Sequence, residues 1–170
     1  MHLIHRGIVN KNYKENLLKS FKQSFKKGYG IETDIHATKD CEFICFHDFT
    51  LKRTFKKNLS IKNLNYSQIN AISSKYNKPI PLLKDLLKCS KNRYPLHIEI
   101  KPIFSKSLLK KLLKETSKFT KSVFISFKHE NIYNLLKIKK NTKVGLSFSP
   151  PTSIKTVSYT HLTLPTTAIV

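Results

Sequence analysis

Short apolar runs alternate along the chain with stretches in which apolar residues recur every three or four positions. Residues 2–4 read as a first strand, and 16–27 as a helix with Leu17, Leu18, Phe21 and Phe25 on one face. Gly28 and Gly30 end that helix and lead into a strand at 30–35, followed by a short strand at 42–46. Residues 49–79 are polar, rich in Lys and Asn and weakly periodic, which predicts a loop carrying short helices. Pro81 sits where a helix can start, with Leu82, Leu83, Leu86 and Leu87 as its buried stripe. Beyond it come a strand at 96–100, a helix at 107–119 built on Leu108, Leu109, Leu112 and Leu113, and a strand at 123–127. A helix at 130–139 and a sixth strand at 143–148 complete the series. Strands alternating with helices mark βα units on a parallel sheet. The order predicts an α/β fold, an incomplete TIM (β/α)8 barrel with about six strands present.

After Ser153 the pattern stops. Residues 157–166, VSYTHLTLPT, follow neither period. They back-translate to a string resembling the transposase adapter used in preparing sequencing libraries. Residues 1–155 are therefore expected to form one partial barrel domain, and 156–170 a non-native tail. A complete barrel takes roughly 250 residues, so the last two strands and their loops are expected to be absent.

Composition narrows the picture. A 39% hydrophobic content suits a globular domain. No apolar run reaches the roughly 18 residues of a membrane-spanning helix. The N-terminus, MHLIHRG, lacks the n- and h-regions of a signal peptide. Cys41, Cys45 and Cys89 fall outside any CxxC pair, which argues against a disulfide framework or zinc site and points to a reducing cytoplasm. The net charge of +22 raises nucleic acid as a partner. Yet 29 of the 32 basic residues are lysines scattered through the chain, a bias that AT-rich codons produce by themselves. No specific nucleic-acid partner is expected, while peripheral contact with an anionic membrane stays physically reasonable. The sequence does not fix an oligomeric state.

Only ten acidic residues exist, so their positions are informative. Glu32 and Asp34 lie two apart in a predicted strand, and period-two geometry puts both on one face. Glu99 holds a comparable place at the end of the strand at 96–100. Burying carboxylates there is costly unless they are paired or bind a cation. Three converging at a barrel mouth suit a hard divalent ion, Mg²⁺ or Ca²⁺; the alternative is that each pairs with a lysine. His5 follows the first strand and His47 the third, where such a barrel carries catalytic groups. Imidazole serves as base or acid near neutral pH. Arg6 and Lys101 can balance phosphate charge. Asp48 is left outside the site, holding its loop by orienting a neighbouring group. His36 and His97, which strand alternation or position points differently from the site residues, are read as structural.

The order and spacing of these groups resemble the glycerophosphodiester phosphodiesterase family. The resemblance rests on His5-Arg6-Gly7, Glu15-Asn16, the Gly30-Ile31-Glu32-Thr33-Asp34 strand, Thr38-Lys39-Asp40, His47-Asp48 and Glu99-Ile100-Lys101. Leu51, Arg53 and Ile80-Pro81-Leu82-Leu83 extend it, and together it covers roughly residues 2–149. It implies that His5 and His47 are the general acid–base pair. Glu32, Asp34 and Glu99 would be metal ligands, with Arg6 and Lys101 on the phosphate. The implied reaction is metal-dependent hydrolysis of a small glycerophosphodiester to glycerol 3-phosphate and an alcohol. Lys14 stands where the family has Pro, and Cys41 where it has Gly; both are loop changes. The family's late W-T-x-N region has no counterpart here.

Two further readings carry separate expectations. A basic module binding nucleic acid or anionic lipid would bind in a salt-sensitive way that ignores Glu32, Asp34 and Glu99. An inactive fragment of the enzyme, with unpaired strand edges and exposed apolar surface, would express insolubly or lack turnover.

Overall fold

The structure, a computed structural model, describes residues 2–148. The tail at 156–170, read as non-native, lies outside the described residues. Strands β1 (Leu3–His5), β2 (Gly30–Ala37), β3 (Phe43–Cys45), β4 (Leu96–Ile100), β5 (Ser122–Ser126) and β6 (Val144–Leu146) form one sheet. Its path runs β1-β2-β4-β5-β6, with every neighbouring pair parallel. Helices α1 (Leu18–Lys26), α2 (Lys52–Phe55), α3 (Tyr66–Lys75), α4 (Leu83–Ser90), α5 (Lys106–Thr116) and α6 (His129–Ile138) connect them. Among the described residues β1 and β6 each pair with a single strand, so the barrel is not closed.

Alternation along the strands decides what faces the helices. Ile31 and Ile35 of β2, Ile98 and Ile100 of β4 and Phe124 of β5 pack with Phe21, Phe25, Leu83, Leu86, Leu109, Leu112, Ile132 and Leu135 in one core. Each such side chain contributes about 1.5–3 kcal/mol on burial. The intervening positions carry Glu32, Asp34 and Glu99 to the opposite face of the sheet. Gly30 permits the close approach of β2 to its neighbour, since a Cβ there would lie 2.5 Å from Pro95 Cγ and 2.7 Å from its carbonyl oxygen.

The third strand departs from the expected βα order. It runs antiparallel to β2, with Ile35 opposite Cys45 and Ala37 opposite Phe43. β2 continues past the end of the parallel sheet, turns at 38–42, and β3 returns along it. The turn is held by Thr38, whose Oγ1 donates to Asp40 Oδ1 at 2.6 Å and accepts from the Glu42 N–H at 3.0 Å. A short apolar run carries no sign of its direction, which is why the pattern alone did not reveal the hairpin.

The stretch at 49–79 does contain short helices, α2 and the ten-residue α3 among them. Ile44, Phe46, Leu51, Phe55, Ile61, Ile69, Ile80 and Leu82 give this region a second apolar cluster, separate from the main core. Its ends are tied together by a bridge between Ile44 and Leu82 and by the Cys45 N–H on the Pro81 carbonyl at 2.9 Å. The first helix starts at Leu18, not at residue 16, because Asn16 has a φ of 54° and turns its amide into the site.

Candidate active site

Strand register assembles the acidic trio. Asp34 and Glu99 are direct partners across β2 and β4, and Glu32 faces His5 across β1 and β2. One carboxylate oxygen from each of Glu32, Asp34 and Glu99 lies within 4.8 Å of the others, a group able to hold a metal ion. Asp34 is 0% exposed. Its Oδ2 meets Arg6 Nε at 3.0 Å and accepts from Asn16 Nδ2 at 2.9 Å, while its Oδ1 lies 3.3 Å from Lys101 Nζ. Thr33 Oγ1 donates to Asn16 Oδ1 at 2.8 Å and fixes that amide. Lys101 Nζ also sits 2.8 Å from Glu99 Oε1. Burial would lower the Lys101 pKa, but its bond to Glu99 and the charge of Asp34 outweigh that and raise it.

Pairing with cations, the alternative to metal binding, accounts for Asp34 and Glu99 but not for Glu32. Both Glu32 carboxylate oxygens are buried without a hydrogen-bond partner, and the nearest basic group is His5 Nε2 at 3.8 Å. Burial pushes the Glu32 pKa up to about 8, and the neighbouring Asp34 and Glu99 add to that. A partnerless buried carboxylate beside two others fits a divalent cation, whose charge offsets the desolvation.

The two histidines are placed differently. His5, with a side chain 70% exposed, stands at the end of β1. Desolvation and the charge of Arg6 lower its pKa. The following turn puts Arg6 in a left-handed conformation with φ 56°, a strain of roughly 1 kcal/mol. Gly7 follows at φ 76°, where a Cβ would lie 3.0 Å from Phe21 Cδ1. This turn swings the guanidinium of Arg6 onto Asp34. His47 leaves β3 and is returned to the mouth by the hairpin, with the Phe46 N–H on the Asp34 carbonyl at 3.0 Å. Its Nδ1 donates to Asp48 Oδ1 at 2.7 Å, which leaves Nε2 as the acceptor of the neutral ring.

The direction given to two histidines needs correcting: His97, the register partner of Glu32, and His36 both share the strand parity of the acids. Asp48 orients a neighbouring group, as expected of it, by accepting from His47 Nδ1 and fixing that ring. Burial would raise its pKa, but hydrogen bonds from Arg53 and His47 outweigh that and hold it below the usual range. His36 does not point away from the site residues. It shares strand parity with Glu32 and Asp34, is buried, and bonds the His47 carbonyl through Nε2 at 3.1 Å. Its ring meets Phe49 edge-on, and burial lowers its pKa to about 4. Parity alone contained the signal for His36. In the sequence Glu15 and Arg53 stand only as parts of motifs, with no role attached.

Similarity to known proteins agrees with this geometry. The glycerophosphoryl diester phosphodiesterase family matches residues 5–169. Human lysophospholipase D GDPD1 is 27% identical over 164 residues, spanning 87% of this chain and 51% of that protein. A glycerophosphodiester phosphodiesterase from Caldanaerobacter subterraneus is 26% identical over 160 residues, spanning 86% of this chain and 65% of that protein. The chain thus spans about half to two thirds of the length of these relatives. The crystal structure of a glycerophosphodiester phosphodiesterase from Thermotoga maritima superposes with a TM-score of 0.72 at 26% identity, covering 88% of this chain and 62% of that one. An Oleispira antarctica phosphodiesterase, solved with the product sn-glycerol-3-phosphate, shares the fold with a TM-score of 0.74 at 19% identity, covering 86% of this chain and 65% of that one. No helix of the described residues is long and apolar enough to cross a membrane. From its first strand onward, the chain belongs to the glycerophosphoryl diester phosphodiesterase family.

Proposed function

We propose that the protein hydrolyses glycerophosphodiesters to glycerol 3-phosphate and an alcohol, using a divalent cation, Mg²⁺ or Ca²⁺, and the histidine pair His5 and His47. The observation that carries this reading is Glu32, a buried carboxylate with no hydrogen-bond partner beside Asp34 and Glu99. The relatives' names and the product bound to the Oleispira enzyme supply the substrate class.

Glu32, Asp34 and Glu99 would hold the cation. When bound, it supplies Lewis-acid stabilisation of negative charge on the phosphoryl group. Arg6 and Lys101 border the acids and present remaining N–H donors to phosphate oxygens. One imidazole takes the proton of the attacking oxygen as the new O–P bond forms. The other gives a proton to the alkoxide as its P–O bond breaks, so hydrolysis balances with one water consumed. The free Nε2 of His47 suits either part. His5, exposed and with its pKa lowered, is predominantly neutral at pH 7 and suits the base.

Turnover of glycerophosphocholine by the 170-residue chain tests the proposal. Near-normal turnover in His5→Ala or Glu32→Ala would show that these roles are wrong.

A further inference from the structure

Arginine is scarce in this chain, three residues against 29 lysines. Two of the three meet on the same carboxylate. Arg6 Nη1 donates to Glu15 Oε2 at 3.0 Å, and Arg53 Nη2 donates to Glu15 Oε1. From there the contacts continue in both directions. Arg53 Nε donates to Asp48 Oδ2 at 2.6 Å, and Asp48 Oδ1 receives His47 Nδ1 at 2.7 Å. On the other side Arg6 Nε reaches Asp34 Oδ2 at 3.0 Å. The result is an unbroken series of contacts, His47–Asp48–Arg53–Glu15–Arg6–Asp34, in which the members beyond His47 alternate in charge. It joins the loop after β1 to the loop after β3.

Stability alone does not explain these pairs. The Arg53 side chain is 56% exposed and that of Glu15 is 32% exposed. Ion pairs this open contribute about 0–1 kcal/mol each. What guanidinium provides and ammonium does not is a planar fork, able to hold two carboxylates in fixed directions at once. Arg53 does this between Asp48 and Glu15, and Glu15 does the converse between the two arginines.

We propose that Arg53 and Glu15 are positioning residues that hold Asp48, and through it His47, in one tautomer and in register with Arg6. Only the consequence for turnover rests on the phosphodiesterase reading. The geometric part concerns a ring, a carboxylate and a fork, and holds whatever the reaction.

The test uses the ¹⁵N-labelled 170-residue chain and long-range proton–nitrogen spectra of its imidazoles. The His47 signals are identified by their loss in His47→Gln. In the parent chain His47 is expected as the Nδ1–H tautomer. In Arg53→Lys, which keeps the charge and loses the fork, and in Glu15→Gln, the ring is expected to shift towards a mixture with Nε2–H. The other histidines should stay unchanged, with thermal unfolding within a few degrees of the parent. Both sites are open enough for the variants to fold. In turnover, each variant is expected to lower kcat about tenfold, with KM within about twofold. An unmoved His47 tautomer in both variants overturns the inference, as does full recovery of kcat by Arg53→Lys. A responsive His47 in a chain without turnover supports the inference and counts against the hydrolase reading alone.

Discussion

The acidic trio and His47 are built by different means. Glu32, Asp34 and Glu99 are placed by backbone ladders, with Asp34 and Glu99 as register partners on adjacent parallel strands. Moving one would require a strand to slip by two residues against both of its neighbours. His5 and His47 hang from the ends of the three-residue strands β1 and β3. For His47, direction comes from side-chain bonds to Asp48 and from His36 on its backbone. The trio is thus fixed by the fold, and His47 by a chain of contacts that single substitutions can cut. Cation binding and proton transfer should therefore be separable by mutation.

The largest effect separates them first. Glu32→Ala or Asp34→Ala should abolish Mg²⁺ or Ca²⁺ binding in titration calorimetry and lower turnover on the order of 10³-fold. His47→Ala should leave cation affinity near that of the parent while turnover falls about 10²-fold or more. If both properties fall together in His47→Ala, the two regions are one unit and the contrast fails.

A pH series on the cation-free chain sharpens the comparison. Glu32 has its pKa raised from 4.5 to about 8, so the folded state holds this proton more tightly than the unfolded chain does. Its contribution to stability is complete below pH about 4.5 and is lost as the pH rises to about 8. With chelator present, the melting temperature should fall across that window, and Glu32→Gln should flatten the slope. Bound cation should flatten it as well.

Smaller effects are expected from the supporting residues. Asn16→Ala removes an amide donor from buried Asp34 and should cost about 1–3 kcal/mol in denaturant unfolding. His36→Ala removes one bond to the His47 carbonyl and should cost about 1 kcal/mol in transition-state stabilisation, read as a few-fold fall in kcat.

The same contrast explains what was legible in the sequence. Period-two spacing puts Glu32 and Asp34 on one face, and in the structure Ile31, Ile35, Ile98 and Ile100 fill the opposite, helix-covered face. Backbone regularity turns spacing into position, so the trio and its strands could be read. The antiparallel course of β3 could not, since Phe43–Cys45 has the same composition in either direction. Neither could the bond from Asp48 to His47 nor the meeting of Arg53 with Glu15, 38 residues apart in the chain. Side-chain networks between loops have no period. The early end put on Asn16, as the first residue of a helix, failed for the same reason: its amide is spent on Asp34 and Thr33.

The apolar cluster from Ile44 to Leu82 has an evolutionary consequence. Because this segment seals its own interior and closes its two ends against each other, it behaves as a cassette plugged into the barrel rim. Exchanging its inserted surface between homologues would reshape the ground around His47 while leaving the three acids on their strands untouched. On the proposed reaction, diversification of the alcohol released could proceed there without reopening the problem of how to hold the ion.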